Sequence, residues 1–293
     1  MDRTGIEWLI DTTVAALERG EPVDPWSLTF LLRCYGATDR ADIRDALEPG
    51  LAQALQRQAL AQSVAERAAW LVLMSDALVL SPDERLLDSA TGLVTMLRHG
   101  WGDSSDVVSG AASVDACLRA SRSLDPGAIV QDAIDELERI VAAAYRPGAG
   151  LAPHGPGRVA VPGGLGAYVA LSFALLTAYD VSGRLPYSML AEELMQFARR
   201  TLWDEAEARF TDAQLDRVES CFLNCDAARV LCGLAALHSD GGYRAAAVIT
   251  PEAAYLDDAA RILRAHERAS RETSECRGAF GLALQEWVAL RRD

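Results

Sequence analysis

The chain contains no lysine: all 28 of its basic residues are arginine, set against 42 acids, for a formal net charge of −14. Chemistry that needs a side-chain amine is therefore closed to it, including P-loop phosphate binding, Schiff-base catalysis and the lysine anchor of pyridoxal phosphate. An acidic chain also lacks the basic field that displaces counterions from nucleic acid, so no nucleic-acid partner is expected. Histidine is scarce, with four residues, and Asn224 is the one asparagine. The six cysteines contain no C-x-x-C pair and lie at positions that read as buried helix. Met1-Asp2-Arg3 leads into a charged amphipathic segment in place of a secretion signal. No apolar run approaches the roughly 20 residues of a membrane span. The expectation is a cytoplasmic chain with reduced thiols, no membrane partner and no cofactor.

What the chain does have is a 50% hydrophobic content arranged with helical periodicity. The stretch Gly164 to Asp212 shows the unit most clearly. From Tyr168 to Tyr179 apolar residues fall on every side, the mark of a helix buried all round. From Pro186 to Leu202 they recur at Leu190, Leu194 and Phe197, with charged residues between, as in an amphipathic helix covering the first. This pairing of inner and outer helix repeats along the chain. Ala68 to Leu80 and Val107 to Leu118 read as inner helices. Leu86 to Leu97 and Ile129 to Val141 read as outer ones. Another pair follows from about Glu219 to Leu237 and Ala254 to Arg264, and a last inner helix from about Glu275 to Leu290. Residues 3–19 form an unpaired amphipathic helix able to cover that last one. Pro49-Gly50 should kink or split the helix that holds them. Ala46 to Ala90 is a step of 44 residues and Ala90 to Ala133 a step of 43, the period of two-helix repeats. The fold class expected is all-α, an (α/α)6 toroid of six helical hairpins. Residues 1–293 would form a single domain, with helix 3–19 closing the ring against the C-terminal helix.

Longer steps mark insertions at Arg146–Gly163, Asp204–Val218 and around Gly241–Pro251. The first two lead from an outer helix into an inner one, so they should gather at one mouth of the ring, where ligand sites are commonly built. His154 and Arg158 in the first loop offer a general acid or base and an anion contact. Glu219, Asn224 and Asp226 begin the next inner helix at the same mouth, and Asn224 alternatively caps it. Cys221, Cys225 and Cys232 share one helix face, but small buried packing residues explain them better than a metal site short of ligands. Asp257-Asp258 lacks the further acids of an isoprenoid-enzyme motif and reads as a solvated pair. No metal site is expected.

The segment LLTAYDVSGRLPYSMLAEELMQFARRTLWDEAEARFTD resembles the repeat of α/α-toroid proteins of the six-hairpin glycosidase type. It resembles especially the C-terminal region of thioredoxin-domain proteins related to N-acylglucosamine 2-epimerases. ESCFLNCDAARVLCGLAALHSDGGY fits the following repeat, and the resemblance covers about residues 164–290. It implies a toroid with a sugar-like ligand in its funnel, held by Tyr168, His154, Arg158, Asn224, Asp226 and Glu219. For an isomerase or epimerase, His154 would move the proton and Arg158 would stabilise developing negative charge; a glycosidase-like activity is the other enzymatic expectation. No thioredoxin domain or redox C-x-x-C is expected with the toroid. A different class of function is also open, a non-catalytic toroid that binds a protein partner.

Overall fold

The computed structural model describes residues 3–102, 106–152, 164–247 and 249–291. Among them are thirteen α-helices and two very short hairpins. The inner helices are α2 (Pro25–Thr38), α4 (Val64–Leu80), α6 (Val107–Ala120), α8 (Leu165–Ser182), α10 (Arg217–Ser239) and α13 (Arg277–Leu290). Each packs against the next, and α13 packs back on α2, so the ring closes. The outer helices are α1 (Arg3–Glu18), α3 (Ala41–Arg57), α5 (Glu84–His99), α7 (Pro126–Ala144), α9 (Leu185–Leu202) and α12 (Tyr255–Glu272). The short α11 (Gly241–Ala247) follows α10. The chain is thus an all-α toroid of alternating inner and outer helices. Helix α1 covers α13 and α3.

The elements form where their residues dictate. Acidic or hydroxyl side chains cap most inner helices at one end of the ring: Asp24 on α2, Ser63 on α4, Asp106 on α6 and Asp216 on α10 each accept a backbone N–H of the first turn. On α10 the cap is reciprocal, because the Glu219 carboxylate accepts from Asp216 N. Asn224 therefore does not cap this helix; it lies two turns inside it. Helices α8 and α10 are long and apolar enough to cross a membrane by length and composition. Both are inner helices, packed against neighbours in the ring.

The seam between α13 and α2 needs glycine. A Cβ on Gly278 would run into the backbone of Trp26 and Ser27, and one on Gly281 would lie 2.8 Å from the Phe30 ring. The expected break at Pro49 does not occur: α3 runs unbroken from Ala41 to Arg57. Pro49 faces solvent, as does Asp45 one turn earlier, so the carbonyl left without an N–H donor can be hydrated. Gly50 turns inward, where any Cβ would meet Leu28 at 2.8 Å.

Each of the two long loops entering an inner helix starts as a hairpin. After α7, β1 (Tyr145–Arg146) pairs with β2 (Gly150–Leu151); after α9, β3 (Trp203–Asp204) pairs with β4 (Arg209–Phe210). The linker from α11 to α12 is tied down differently. The fully buried Glu192 carboxylate of α9 accepts from Ile249 N at 3.1 Å, Thr250 N at 3.0 Å and the Tyr255 hydroxyl at 3.0 Å.

The cysteines depart from the fully reduced expectation. Cys221 on α10 and Cys276, the residue before α13, form a disulfide, and Cys34, Cys117, Cys225 and Cys232 are free and buried. The bonded pair is 55 residues apart in sequence. Packing of α10 on α13 brings them together. The Cys225 sulfur lies within 4.8 Å of both.

Candidate functional site

Because the inner helices run parallel, their N-termini gather at one end of the ring and open into a cavity of about 670 Å3. The rim carries Trp26, Val108, Leu215, Val218 and Glu219. Trp26 meets Phe222 edge-on, with ring centroids 5.1 Å apart. Below the rim the wall is apolar, with Ala69 and Val72 from α4, Ala112 from α6, Ala170 from α8, Leu223 from α10 and Leu282 from α13.

The floor is charged. Arg33 of α2 donates to Asp76 at 3.3 Å and to Glu286 of α13 at 2.8 Å. Arg229 of α10 shares Glu286, at 3.1 Å, and reaches Asp226 at 3.1 Å. Arg119 of α6 donates to Asp115 at 2.8 Å, and Asp115 also accepts from the Thr177 hydroxyl. Phe173 of α8 lies between two guanidiniums, with Arg119 5.8 Å and Arg229 5.0 Å from its ring centroid. Burial raises the Asp226 carboxyl above the ordinary aspartate range, against the pull of Arg229. Burial, with Arg229 as a like-charged neighbour, brings Arg33 below its usual value. On the far side of this belt lies a second hollow of about 380 Å3, and Arg33 and Arg119 line both. The belt is thus a charged partition across the ring.

Of the residues singled out in the sequence, the structure brings Glu219 and Asp226 to the cavity. Tyr168 and Asn224 are fully buried and absent from its lining. The Tyr168 hydroxyl accepts from Leu151 N at 3.2 Å, and its ring stacks on Phe197 at 5.8 Å. Asn224 accepts from Phe210 N at 2.9 Å and donates to Phe210 O at 3.0 Å. Both side chains thus fasten a hairpin to the inner helix that follows it. His154 and Arg158 lie outside the described residues. The other histidines, His99, His238 and His266, do not line the cavity.

Sequence reading missed the basic half of the belt and Asp76, Asp115 and Glu286. Their signal was present: a charge in the middle of a helix that is otherwise apolar on all sides needs a partner or water. The partners were not visible, because Arg33 and Glu286 are 253 residues apart.

No protein-family model and no curated protein matches this chain. Solved structures do. The unsaturated glucuronyl hydrolase from Bacillus sp. GL1, described as responsible for glycosaminoglycan degradation, superposes with a TM-score of 0.70 at 12% identity, covering 100% of this chain and 97% of that one. The α-1,6-mannanase GH76A of Salegentibacter sp. HEL1_6, an inactive variant holding α-1,6-mannotriose, gives 0.62 at 12% identity over 92% and 90% of the two chains. A sugar epimerase from a ruminal bacterium gives 0.55 at 13% identity over 70% and 60%. The fold is therefore that of the six-hairpin, glycosidase-like α/α toroids.

Proposed function

We propose that this chain is a carbohydrate-active α/α-toroid protein whose sugar-like ligand enters the mouth cavity, with carboxylates as its acid and base. The observation that supports this most is the pair Asp226 and Asp115 on the cavity floor, on the two inner helices flanking α8. Glycosidic cleavage takes one carboxylic acid to protonate the leaving oxygen and one carboxylate to attack or to activate water. Asp226, raised by burial, suits the first role. Asp115, held by Arg119 and Thr177, would take the second. Arg229 can stabilise the carboxylate that Asp226 becomes when it gives its proton to the leaving oxygen, and Arg119 holds Asp115 ionised. A glycosidase-like reaction fits this better than epimerisation, since no histidine among the described residues lines the cavity. An open cavity also favours a ligand over the scaffold reading, for which a plugged funnel would be expected.

The test is thermal unfolding against monosaccharides, amino sugars, sugar phosphates and short oligosaccharides. A ligand at a hundred times its Kd adds about 2.7 kcal/mol, which for a chain of this length raises Tm by about 4 °C. A selective shift identifies the sugar class. With that substrate, Asp226→Asn should abolish turnover, and retained turnover in His154→Ala would support carboxylate chemistry. No shift across the panel would return the chain to the scaffold reading.

A further inference from the structure

We infer that the cavity takes a neutral glycoside bearing an apolar aglycone, with the sugar on the charged floor and the aglycone along the wall; this rests on the carbohydrate reading above. The wall carries the inference. From Val218 at the rim to Arg229 at the floor, α10 rises about 16 Å. Along that depth the lining is Ala, Val, Leu and Phe. Among the described lining residues the one neutral hydroxyl is Thr29, and it donates to Pro25 O at 2.7 Å. A run of sugar rings in this section would lose hydration from its hydroxyls with few groups to replace it. An alkyl or aryl group loses nothing polar there and gains the burial of apolar surface.

The floor sets the other half of the specificity. Each guanidinium of the floor is already paired, Arg33 with Asp76 and Glu286, Arg119 with Asp115, and Arg229 with Asp226 and Glu286. An anionic sugar would meet no unpaired cation on this floor. A neutral one can hydrogen-bond to the carboxylate oxygens. The floor is also where Asp226 and Asp115 stand, so the bond joining sugar to aglycone falls at the border between charged floor and apolar wall.

The experiment uses the full chain and the neutral fluorophore N-phenyl-1-naphthylamine, which brightens in apolar surroundings. The expected result is saturable uptake at one equivalent. Octyl glucoside, mannoside or galactoside should displace the probe at concentrations at least about tenfold below the matching methyl glycoside, with octyl glucuronide weaker. Ala112→Phe and Ala170→Phe, each confirmed as folded by circular dichroism and by Tm, should fill the wall and weaken probe binding by about tenfold or more. No uptake, or octyl and methyl glycosides competing equally, would overturn the inference, while a sugar-dependent Tm shift would leave the carbohydrate reading standing. Octanol competing as well as every octyl glycoside, with no sugar shifting Tm, would overturn both.

Discussion

Replacing Glu192 by Ala tests how the toroid holds its longest outer-to-outer excursion, from α9 through α10 and α11 to α12. The carboxylate is fully buried and accepts three hydrogen bonds, from Ile249 N, Thr250 N and the Tyr255 hydroxyl. His238 Nε2 also faces it at 3.2 Å, without a well-aligned hydrogen bond. Each orphaned buried donor costs about 1–3 kcal/mol, so a simple sum over three donors reaches about 9. That sum is too large. Ile249 is 44% exposed, so the linker can lift and hydrate its two amides. Gln196 donates to the Tyr255 oxygen at 2.8 Å and so offers the Tyr255 O–H no acceptor, which leaves this as the donor that stays stranded. A loss of about 3–5 kcal/mol remains, the range for breaking a buried polar pair. In a chain of this length that is a Tm drop of about 5–8 °C. Glu192→Gln keeps the shape and one acceptor oxygen, and should lose about 1–3 kcal/mol. Hydrogen exchange locates the effect: the Ile249 and Thr250 amides should lose protection before the amides of α8 do. A Glu192→Ala protein melting within about 1 °C of the parent would refute the account.

The buried His266, whose pKa burial lowers from 6.5 to about 4, stays neutral in the fold while the unfolded chain takes up a proton. Its contribution is therefore complete above pH 6.5 and lost as pH falls toward 4, by about 3 kcal/mol in all; Tm measured across that window should flatten in His266→Met. Denatured, unreduced protein should titrate four thiols, for Cys34, Cys117, Cys225 and Cys232, and six would refute the Cys221–Cys276 bond. Closing a loop of 55 residues stabilises by about 4 kcal/mol, so reduction should lower Tm by about 6–7 °C. Gly278→Ala forces α13 off the Ser27 backbone and should cost more than about 2 kcal/mol, read by denaturant midpoint, whereas Gly92→Ala, with open space around its added methyl, should be neutral or stabilising.

The ring was legible because its two kinds of helix write different patterns. An inner helix such as α8 is apolar all round, while an outer one such as α12 concentrates its apolar residues on one stripe, and the alternation shows without any knowledge of contacts. The ligand residues were less legible. Tyr168 and Asn224 stand near the mouth in sequence, yet their side chains turn to Leu151 and Phe210, because two-residue hairpins leave backbone groups that need partners. A sequence shows that a polar side chain sits on a buried helix but does not show which neighbour claims it. The Cys221–Cys276 bond and the Arg33–Glu286 pair were invisible for a related reason: each depends on α13 arriving beside helices far from it in the chain.

The floor and the wall of the cavity differ in how far function can be separated from folding. Arg229 compensates both Asp226 and Glu286, and Arg33 shares Glu286 with it. Removing Arg229 would leave Asp226 without its partner and Glu286 with Arg33 alone, so loss of activity there would not tell a catalytic effect from a loosening of the belt that spans α2, α4, α10 and α13. Asp226→Asn is gentler, because it removes a charge that burial already disfavours and keeps an oxygen for Arg229. The wall is cleaner still. Ala112 and Ala170 face open cavity, and enlarging them changes the space left for a ligand without unpairing any charge. Binding that responds to the wall variants while Tm does not would therefore place the ligand in the cavity, independent of any argument about the acids beneath it.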